Sequence, residues 1–194
     1  LGVNSVDELI ALAKKSGDKP LTYGSVGVGS LYHLILENVQ AQTGIKLAHV
    51  PYKGNAPLLQ DIGGGQVDFA VLVYSAAMGA LADQGRMKVI GQLGAQRSEL
   101  LKDVPAAAEG QALKGFSYKI WTGFMVPKST PEDVVVRLHA AIGKSLQEPA
   151  VRTQLAAQTQ LASAPMTLAE SAKFFEAETA RYRAIAKQIN LQPQ

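Results

Sequence analysis

The sequence contains no cysteine, which excludes disulfide frameworks, zinc ribbons and thiol catalysis together. Its three histidines, His33, His49 and His139, lie far apart and show neither HxH nor HxxxH spacing, so no metal site is expected. No nucleotide or other cofactor signature is complete. No apolar run approaches the roughly 20 residues that a membrane-spanning helix requires.

Charge of one sign is also lacking. The formal net charge is +3 in 194 residues, and no Lys/Arg cluster is interleaved with aromatic residues, so nucleic acid is not expected as a partner. Apolar residues make up 47% and charged residues 18%, as in an ordinary globular protein. This length suffices for one large domain or two small lobes.

The most informative stretch is YGSVGVGS, residues 23–30. It follows a short apolar segment and precedes apolar residues at helical spacing, so it predicts a strand-to-helix turn. Gly24, Gly27 and Gly29 let other atoms approach the backbone closely, while Ser25 and Ser30 add hydroxyl groups. A helix N-terminus carries unpaired N–H groups and partial positive charge. The stretch therefore predicts an anion-binding loop.

The loop does not match the standard nucleotide or hydrolase signatures. No Lys follows Gly29, as an NTPase loop requires, and Tyr32 stands where the dinucleotide pattern needs its last glycine. The G-x-S-x-G pattern is absent around Ser25 and Ser30. These exclusions favour a carboxylate. The loop alone also fits a simpler interpretation, in which Ser30 only caps a helix and the glycines only turn the chain.

Four apolar segments alternate with helical ones and predict parallel strands: 21–23, 46–50, 67–73 and 88–93. The run Val67–Val73 is nearly all apolar, so we expect it to be buried on both faces. In such sheets ligands bind beyond the carboxyl ends of the strands. Besides Ser25, the residues predicted at these ends are Tyr52, Lys53, Tyr74 and Ser75.

The second half of the chain predicts one strand, Phe116–Val126, followed by helices. Thr130-Pro131 is a helix start, and the T-x-x-E sequence from Thr167 to Glu170 is a capping box. We expect the apolar stripes of these helices to form core. The charged residues from Glu176 to Arg183 predict a solvated helix face.

Several stretches, in this order and spacing, carry a resemblance to a known family: LTYGSVGVGS (21–30), HVPYKGNAP (49–57), GGQVD (64–68), DVP (103–105) and WTGFMVPKSTP (121–131). The chain resembles the substrate-binding proteins of tripartite tricarboxylate transporters, the TctC or Bug family. The resemblance spans essentially the whole sequence. The pairing of YGSxGxGS with HVPYKG is its most specific part.

The resemblance implies a periplasmic, non-enzymatic receptor with a type II periplasmic-binding fold. Two α/β lobes, with parallel sheets flanked by helices, would close around a di- or tricarboxylate or an aromatic acid. The receptor would then deliver the ligand to the membrane components of the transporter. The resemblance implies that Ser25, Val26, Gly27, Gly29 and Ser30 contact a ligand carboxylate. We add Tyr23, the strand-end residues Tyr74 and Ser75, and Trp121 as further predicted ligand-binding residues. Tyr74 and Trp121 suggest a ligand with flat or apolar parts, although both also fit as core aromatics.

The resemblance also predicts an incomplete first lobe. The family begins with a signal peptide and a strand–helix unit, which this sequence does not show, so we expect a processed or shortened chain. We interpret residues 1–20 as a linking helix from the first lobe and 21–118 as the second lobe. Residues 119–194 are then a crossing strand and C-terminal helices of the first lobe, with uncovered apolar faces that favour self-association. The sequence Val71-Leu72-Val73-Tyr74 lacks the polar residue that the family often has there, so an amine-bearing ligand is not expected.

Two other functions compete with a receptor. A ligand-sensing domain of a regulator would share the fold, but no helix-turn-helix segment accompanies it. A hydrolase would use Ser25 or Ser30 with His33 or His49, yet we find no acid placed to orient His33. Asp68, at the start of a predicted strand, is expected to be structural.

Overall fold

The computed structural model describes residues 1–157 and 160–189. The S-x-x-E sequence from Ser5 to Glu8 predicts a helix start. The first helix, α1 (Val6–Lys15), begins there, and the Ser5 side chain accepts a hydrogen bond from the Glu8 N–H at 3.2 Å. One face of α1 is buried through Leu9, Ile10 and Ala13. The helix therefore packs as part of the first compact unit.

Three strands form a parallel sheet in the order β2-β1-β3. They are β1 (Leu21–Ser25), β2 (Leu47–Pro51) and β3 (Phe69–Ala70). Helix α2 (Leu31–Thr43) connects β1 to β2, and α3 (Asn55–Gly63) connects β2 to β3. Helix α4 (Ala76–Asp83) follows β3, which confirms the predicted α/β class with a parallel sheet and flanking helices.

Helix α2 has the boundaries that its sequence predicts. Ser30 caps its N-terminus, and Gly44 ends it in the left-handed conformation at φ 70°. Its apolar face is buried through Leu34, Ile35, Leu36 and Val39. For α3 the sequence predicts Asn55 as the cap, but Gly54 takes the cap position instead. The φ there is 115°, a value that favours glycine.

Asp68 has the structural role that the sequence predicts. Its carboxylate accepts hydrogen bonds from the Thr22 N–H at 2.7 Å and from the Thr22 hydroxyl at 2.9 Å. These bonds tie the start of β1 to the segment that leads into β3. The register of the sheet is thereby fixed at its N-terminal edge, with Tyr23 opposite both His49 and Phe69.

The predicted strand Val67–Val73 is wrong in length and burial. Only Phe69 and Ala70 pair with β1, and Val73 is 42% exposed. In the described part of the chain β3 pairs with β1 alone, so it lies at an edge of the sheet. A strand without a neighbour on one side need not be covered on both faces, and its apolar run continues into a loop.

The predicted strands 88–93 and 116–126 are also absent. At the first, Gln92 makes a single bridge with Ala106, and its side-chain amide donates to two backbone carbonyls, those of Leu101 and Val104. At the second, Tyr118 donates its N–H to the Leu93 carbonyl, but no ladder follows. Between these segments lie two single-turn 3-10 helices, Glu99–Leu101 and Ala107–Glu109. Strand propensity is not sufficient where no neighbouring backbone continues the pairing.

The chain divides into two compact units. The first contains residues 1–119 with the end of the last helix from Ala184, and the second contains Ile120–Arg183. The remaining helices are α5 (Glu132–Ser145), α6 (Pro149–Ala157) and α7 (Leu168–Gln188). Apart from residues 158–159, which lie outside the described part, the second unit contains no strand.

The predicted capping box at the start of α7 is confirmed. Thr167 Oγ1 accepts from the Glu170 N–H at 3.1 Å, and the Glu170 carboxylate accepts from the Thr167 N–H at 2.7 Å. The prediction of a solvated charged face on α7 is wrong at Glu178. That carboxylate accepts the Trp121 indole N–H at 3.0 Å, and only 14% of the side chain is exposed.

Gly24 should tolerate no side chain, because β1 and α3 are in close contact there. A Cβ at Gly24 would overlap the Leu58 side chain, which is 0% exposed, and would lie 3.3 Å from the Tyr52 ring. We predict that Gly24→Ala lowers the free energy of unfolding by about 1–3 kcal/mol.

The matched control is Gly143→Ala in α5, where a Cβ meets nothing within 4 Å. Helix propensity predicts that this change raises stability by up to about 1 kcal/mol. Chemical denaturation of both variants tests the pair. Equal stability of Gly24→Ala and the wild type would show that the contact between β1 and α3 is looser than described.

Candidate functional site

The glycine loop, residues 26–30, joins the end of β1 to the start of α2. Gly27 and Gly29 have φ values of 128° and 77°, in the region that residues with a side chain rarely adopt. The glycines are thus required for this path. Ser30 caps α2 by accepting a hydrogen bond from the His33 N–H at 3.4 Å.

Some of the backbone N–H groups in this region are used to hold the loop. The Gly27 N–H donates to Ser25 Oγ at 3.2 Å, and the Ser30 N–H donates to the Gly27 carbonyl at 3.2 Å. The Gly29 N–H donates to His33 Nδ1 at 3.1 Å. In this loop and the first turn of α2, the N–H groups of Val26, Val28, Leu31 and Tyr32 have no partner among the described residues. Leu31 and Tyr32 lie in the first turn of α2, the positive end of the helix, where an anion is stabilised, and Val26 and Val28 lie in the loop that leads to it.

Ser25 supports the loop from below. Its side chain is 0% exposed, and its Oγ lies 2.7 Å from His49 Nε2 and 3.0 Å from the Gly27 carbonyl oxygen. Ser25 therefore contributes a buried contact to the loop. Its hydroxyl is committed to these internal bonds and is not directed at solvent.

Three aromatic rings are stacked beneath the loop. The centroid of His49 lies 4.8 Å from that of Tyr23 and 4.2 Å from that of His33. Burial lowers the pKa of His49, and the neighbouring His33 acts in the same direction, while Glu37 opposes them. The His49 imidazole is thus kept neutral more readily than an exposed one.

The carboxylate of Glu37 contacts several polar groups at the far side of this stack. Its Oε1 accepts from the Tyr23 hydroxyl and from Gln40 Nε2, both at 2.7 Å, and lies 3.8 Å from His33 Nε2. Burial raises the pKa of Tyr23 far above its ordinary value, and Glu37 adds to the effect. The expectation that no acid accompanies His33 is therefore wrong. Glu37 lies four residues later on the same helix, a spacing that the sequence already displays.

The loops after β2 and β3 leave the same edge of the sheet as the glycine loop, because the strands are parallel. After β2, the Tyr52 N–H donates to the Ser25 carbonyl at 2.8 Å. The Tyr52 hydroxyl donates to Asp61 at 2.8 Å, and burial together with that carboxylate raises the pKa of Tyr52 to about 12. After β3, Ser75 takes the cap position of α4, and Tyr74 packs against Gly79 of that helix.

Trp121 belongs to the second unit. Its indole N–H donates to Glu178, and its ring meets Phe174 and Phe175 edge-on at centroid distances of 5.2 and 6.2 Å. Of the predicted ligand-binding residues, the structure thus brings residues 23–30 together and sets Tyr74 and Ser75 at the same sheet edge. It places Trp121 in an aromatic cluster of its own unit.

Sequence reasoning missed the support layer of His33, Glu37 and His49. Two signals were available: the HVPYKG stretch that begins at His49, and the helical spacing of His33 and Glu37. Among the described residues no group of three or more acidic, histidine or cysteine side chains is arranged to hold a metal ion. The described helices also include none with the length and apolar character needed to cross a membrane.

Comparison with known proteins identifies the family. The model of the tripartite tricarboxylate transporter family receptor, TctC, matches residues 2–191. The chain belongs to the TctC family. It is 33% identical over 190 residues to a UPF0065 protein from the tcbD-tcbE intergenic region of Pseudomonas sp., and 31% identical over 158 residues to Protein BugT of Bordetella pertussis. These matches cover 96% and 81% of this chain, and 54% and 48% of the relatives.

Solved structures give the same assignment. An R. palustris protein solved with adipate superposes with a TM-score of 0.83 at 28% identity, covering all of this chain and 64% of that one. A TctC solute-binding protein from Polaromonas superposes with a TM-score of 0.71 at 32% identity, covering 97% and 62%. MatC from Rhodopseudomonas palustris with bound malate superposes with a TM-score of 0.76 at 26% identity, covering 93% and 61%.

These comparisons confirm the family predicted from the glycine loop and the HVPYKG stretch, and the periplasmic-binding-protein type of fold. They also show that this TctC chain spans about half the length of the Pseudomonas and Bordetella relatives and less than two thirds of the solved chains.

Proposed function

We propose that this chain acts in a periplasmic solute receptor that binds a small carboxylate and delivers it to the membrane components of a tripartite tricarboxylate-type transporter. The observation that carries the proposal is a set of four N–H groups with no partner among the described residues: those of Val26 and Val28 in the glycine loop, and those of Leu31 and Tyr32 in the first turn of α2. Free backbone amides at a helix N-terminus can bind a carboxylate without a charged side chain. Structural neighbours solved with adipate and with malate support the same ligand class.

The proposed ligand is a di- or tricarboxylate or an aromatic acid, bound with one carboxylate at the loop. Gly27 and Gly29 allow the carboxylate to approach the backbone, and Ser30 keeps the first turn of α2 in place. Ser25 and Tyr23 are buried, so we assign them to positioning the loop from below.

The rest of the ligand would extend from the loop along the edge of the sheet. Tyr74 and Ser75 follow β3 at this edge, which supports their place in the proposed site. For Trp121 the support is the family resemblance of its WTGF sequence, together with an aromatic ring suited to an apolar or flat ligand.

We also propose that the chain is not an enzyme. The contact of 2.7 Å between Ser25 and His49 is the distance expected of a nucleophile and its base. A nucleophile must reach its substrate, however, and the Ser25 side chain is 0% exposed. The acid of this region, Glu37, lies beside His33 rather than His49. These features suit a support layer better than a catalytic triad.

Replacing Leu31 by proline tests the amide site directly. Leu31 is the first residue of α2, where proline fits a helix and removes only an N–H group that has no intrahelical partner. The preceding Ser30, at φ −62° and ψ 156°, already has the extended conformation that proline requires. Because a hydrogen bond to a charged group contributes about 1.5–3 kcal/mol, we predict a loss of roughly tenfold or more in carboxylate affinity.

The matched control is Leu31→Ala, which shortens the same side chain but keeps the N–H. Isothermal titration calorimetry with adipate and with malate should show near wild-type affinity for this variant and the loss only for Leu31→Pro. Equal affinity of the two variants, with both folded by circular dichroism, would contradict binding through the amide of Leu31.

The second unit supports a proposal about partners. Its extended segment and helices expose several large apolar side chains; Phe124 is 79% exposed and Leu161 is 87% exposed. The others include Met125, Val136, Phe174 and Phe175. We propose that residues 119–194 belong to the first lobe of a two-lobed receptor and that this isolated chain self-associates through these surfaces, because large exposed apolar patches favour contact with a partner.

Light scattering on the purified chain tests this proposal. We predict a mass above the 20.6 kDa of one chain that falls toward that value in the double variant Phe124→Ser/Leu161→Ser. A wild-type chain that is monomeric over a wide concentration range would contradict self-association.

A further inference from the structure

Two partly buried histidines beneath the glycine loop are each hydrogen-bonded to a group of the loop or to a side chain that supports it. His33 Nδ1 accepts the Gly29 N–H at 3.1 Å, a role that only an unprotonated ring nitrogen can fill, and Nε2 faces Glu37. His49 Nε2 lies 2.7 Å from Ser25 Oγ, which in turn accepts the Gly27 N–H. The conformations of both loop glycines therefore depend on an imidazole.

The two rings also constrain each other. Their planes are 12° apart with centroids 4.2 Å apart, and Tyr23 stacks on the other face of His49. Only 11% of the His33 side chain is exposed. A ring that shifts must displace its neighbour, so a change at either histidine reaches the loop.

We propose that the stacked His33–His49 pair is a positioning element that holds the glycine loop ready for a carboxylate only while both imidazoles are neutral, so that ligand affinity falls as the pair takes up a proton. The inference rests on the proposed function of the loop. Neither histidine contacts the ligand in this proposal. Each acts through the loop backbone.

Protonation would remove the acceptor on which the loop depends. A protonated His33 carries N–H groups on both ring nitrogens, and its Nδ1–H would then face the Gly29 N–H, donor against donor. Protonation of both rings would place two positive charges at a centroid distance of 4.2 Å.

Among the described residues, the titratable groups in contact with the pair are Glu37 from α2 and Tyr23 from β1, besides the histidines themselves. Glu37 alone favours the charged form, and its Oε1 already accepts bonds from Tyr23 and Gln40. Burial of His49 opposes its protonation. The neutral form of His49 is therefore the one that its surroundings favour.

A positive charge beneath the loop would also attract an anion, so the direction of the pH dependence separates the two roles. If the imidazoles act as hydrogen-bond acceptors for the loop, ligand binding weakens at acid pH. If their positive charge attracts the ligand, binding strengthens at acid pH.

The test compares His33→Asn with His33→Phe. Asparagine offers an amide oxygen close to the position of Nδ1 but does not titrate, while phenylalanine keeps the stacked ring and lacks an acceptor. The affinities for adipate and malate are measured by calorimetry between about pH 8 and about pH 6, the range in which imidazoles change charge. Protonation of the ligand itself weakens binding to the wild type and to His33→Asn alike, so the comparison between the two proteins removes that effect.

At the upper pH we expect His33→Asn to bind within about threefold of the wild type and His33→Phe to lose roughly tenfold, the effect of one misplaced hydrogen-bond donor. On acidification the wild type should weaken several-fold more than His33→Asn. If His33→Phe proves unfolded, this difference in pH profile between the wild type and His33→Asn still decides the inference.

Two results would overturn the positioning role while leaving the carboxylate receptor intact. One is wild-type affinity in folded His33→Phe, and the other is wild-type binding that does not weaken relative to His33→Asn on acidification. A wild-type chain that binds neither adipate nor malate, nor any member of a panel of tricarboxylates and aromatic acids, would overturn the proposed function and this inference with it.

Discussion

The constraint on which the first unit depends is the position of β1 between β2 and β3. A central strand has its backbone paired on both sides, so its end is fixed more firmly than that of an edge strand. Ser25, its last residue, is buried, and from there the chain must reach the cap of α2 at Ser30. Only glycine accepts the backbone angles that this short path requires at residues 27 and 29. The exposed amides at the start of α2 are a consequence of that turn.

The polar layer beneath the turn is unusual for a core position, because buried polar groups cost free energy unless they are paired. Here the pairing is extensive, and no buried side-chain nitrogen or oxygen among the described residues lacks a partner. Tyr23, Glu37, His33 and His49 form one continuous set of contacts from α2 across β1 to β2. Such a set specifies one arrangement of the loop more sharply than apolar packing would, since a shift at any member leaves another unpaired.

Local sequence signals predicted the part of the fold that is locally determined. The caps at Ser5, Ser30 and Thr167, the left-handed end at Gly44 and the strands on either side of α2 all follow from short-range chemistry. The strands predicted at 88–93 and 116–126 failed because pairing depends on a partner that the local sequence does not reveal.

The site shows the same division between local and long-range information. The glycine loop could be predicted from its glycines and serines. The histidine stack could not, because it depends on the tertiary contact between His49 of β2 and His33 of α2. The spacing of His33 and Glu37 was visible, but its meaning depended on Tyr23, which points its hydroxyl at the same carboxylate. The local pattern of the loop fits a carboxylate site and a simple helix cap equally well. The family resemblance supports the carboxylate site.

The central claim is that a carboxylate binds to backbone amides at the start of α2. Two-dimensional amide NMR of the chain during titration with adipate tests it most directly, because each N–H is observed separately. The account predicts that the signals of Val26, Val28, Leu31 and Tyr32 move together with the added ligand, while that of Gly143 in α5 stays in place. Saturable binding of adipate that leaves those four signals unmoved would contradict it.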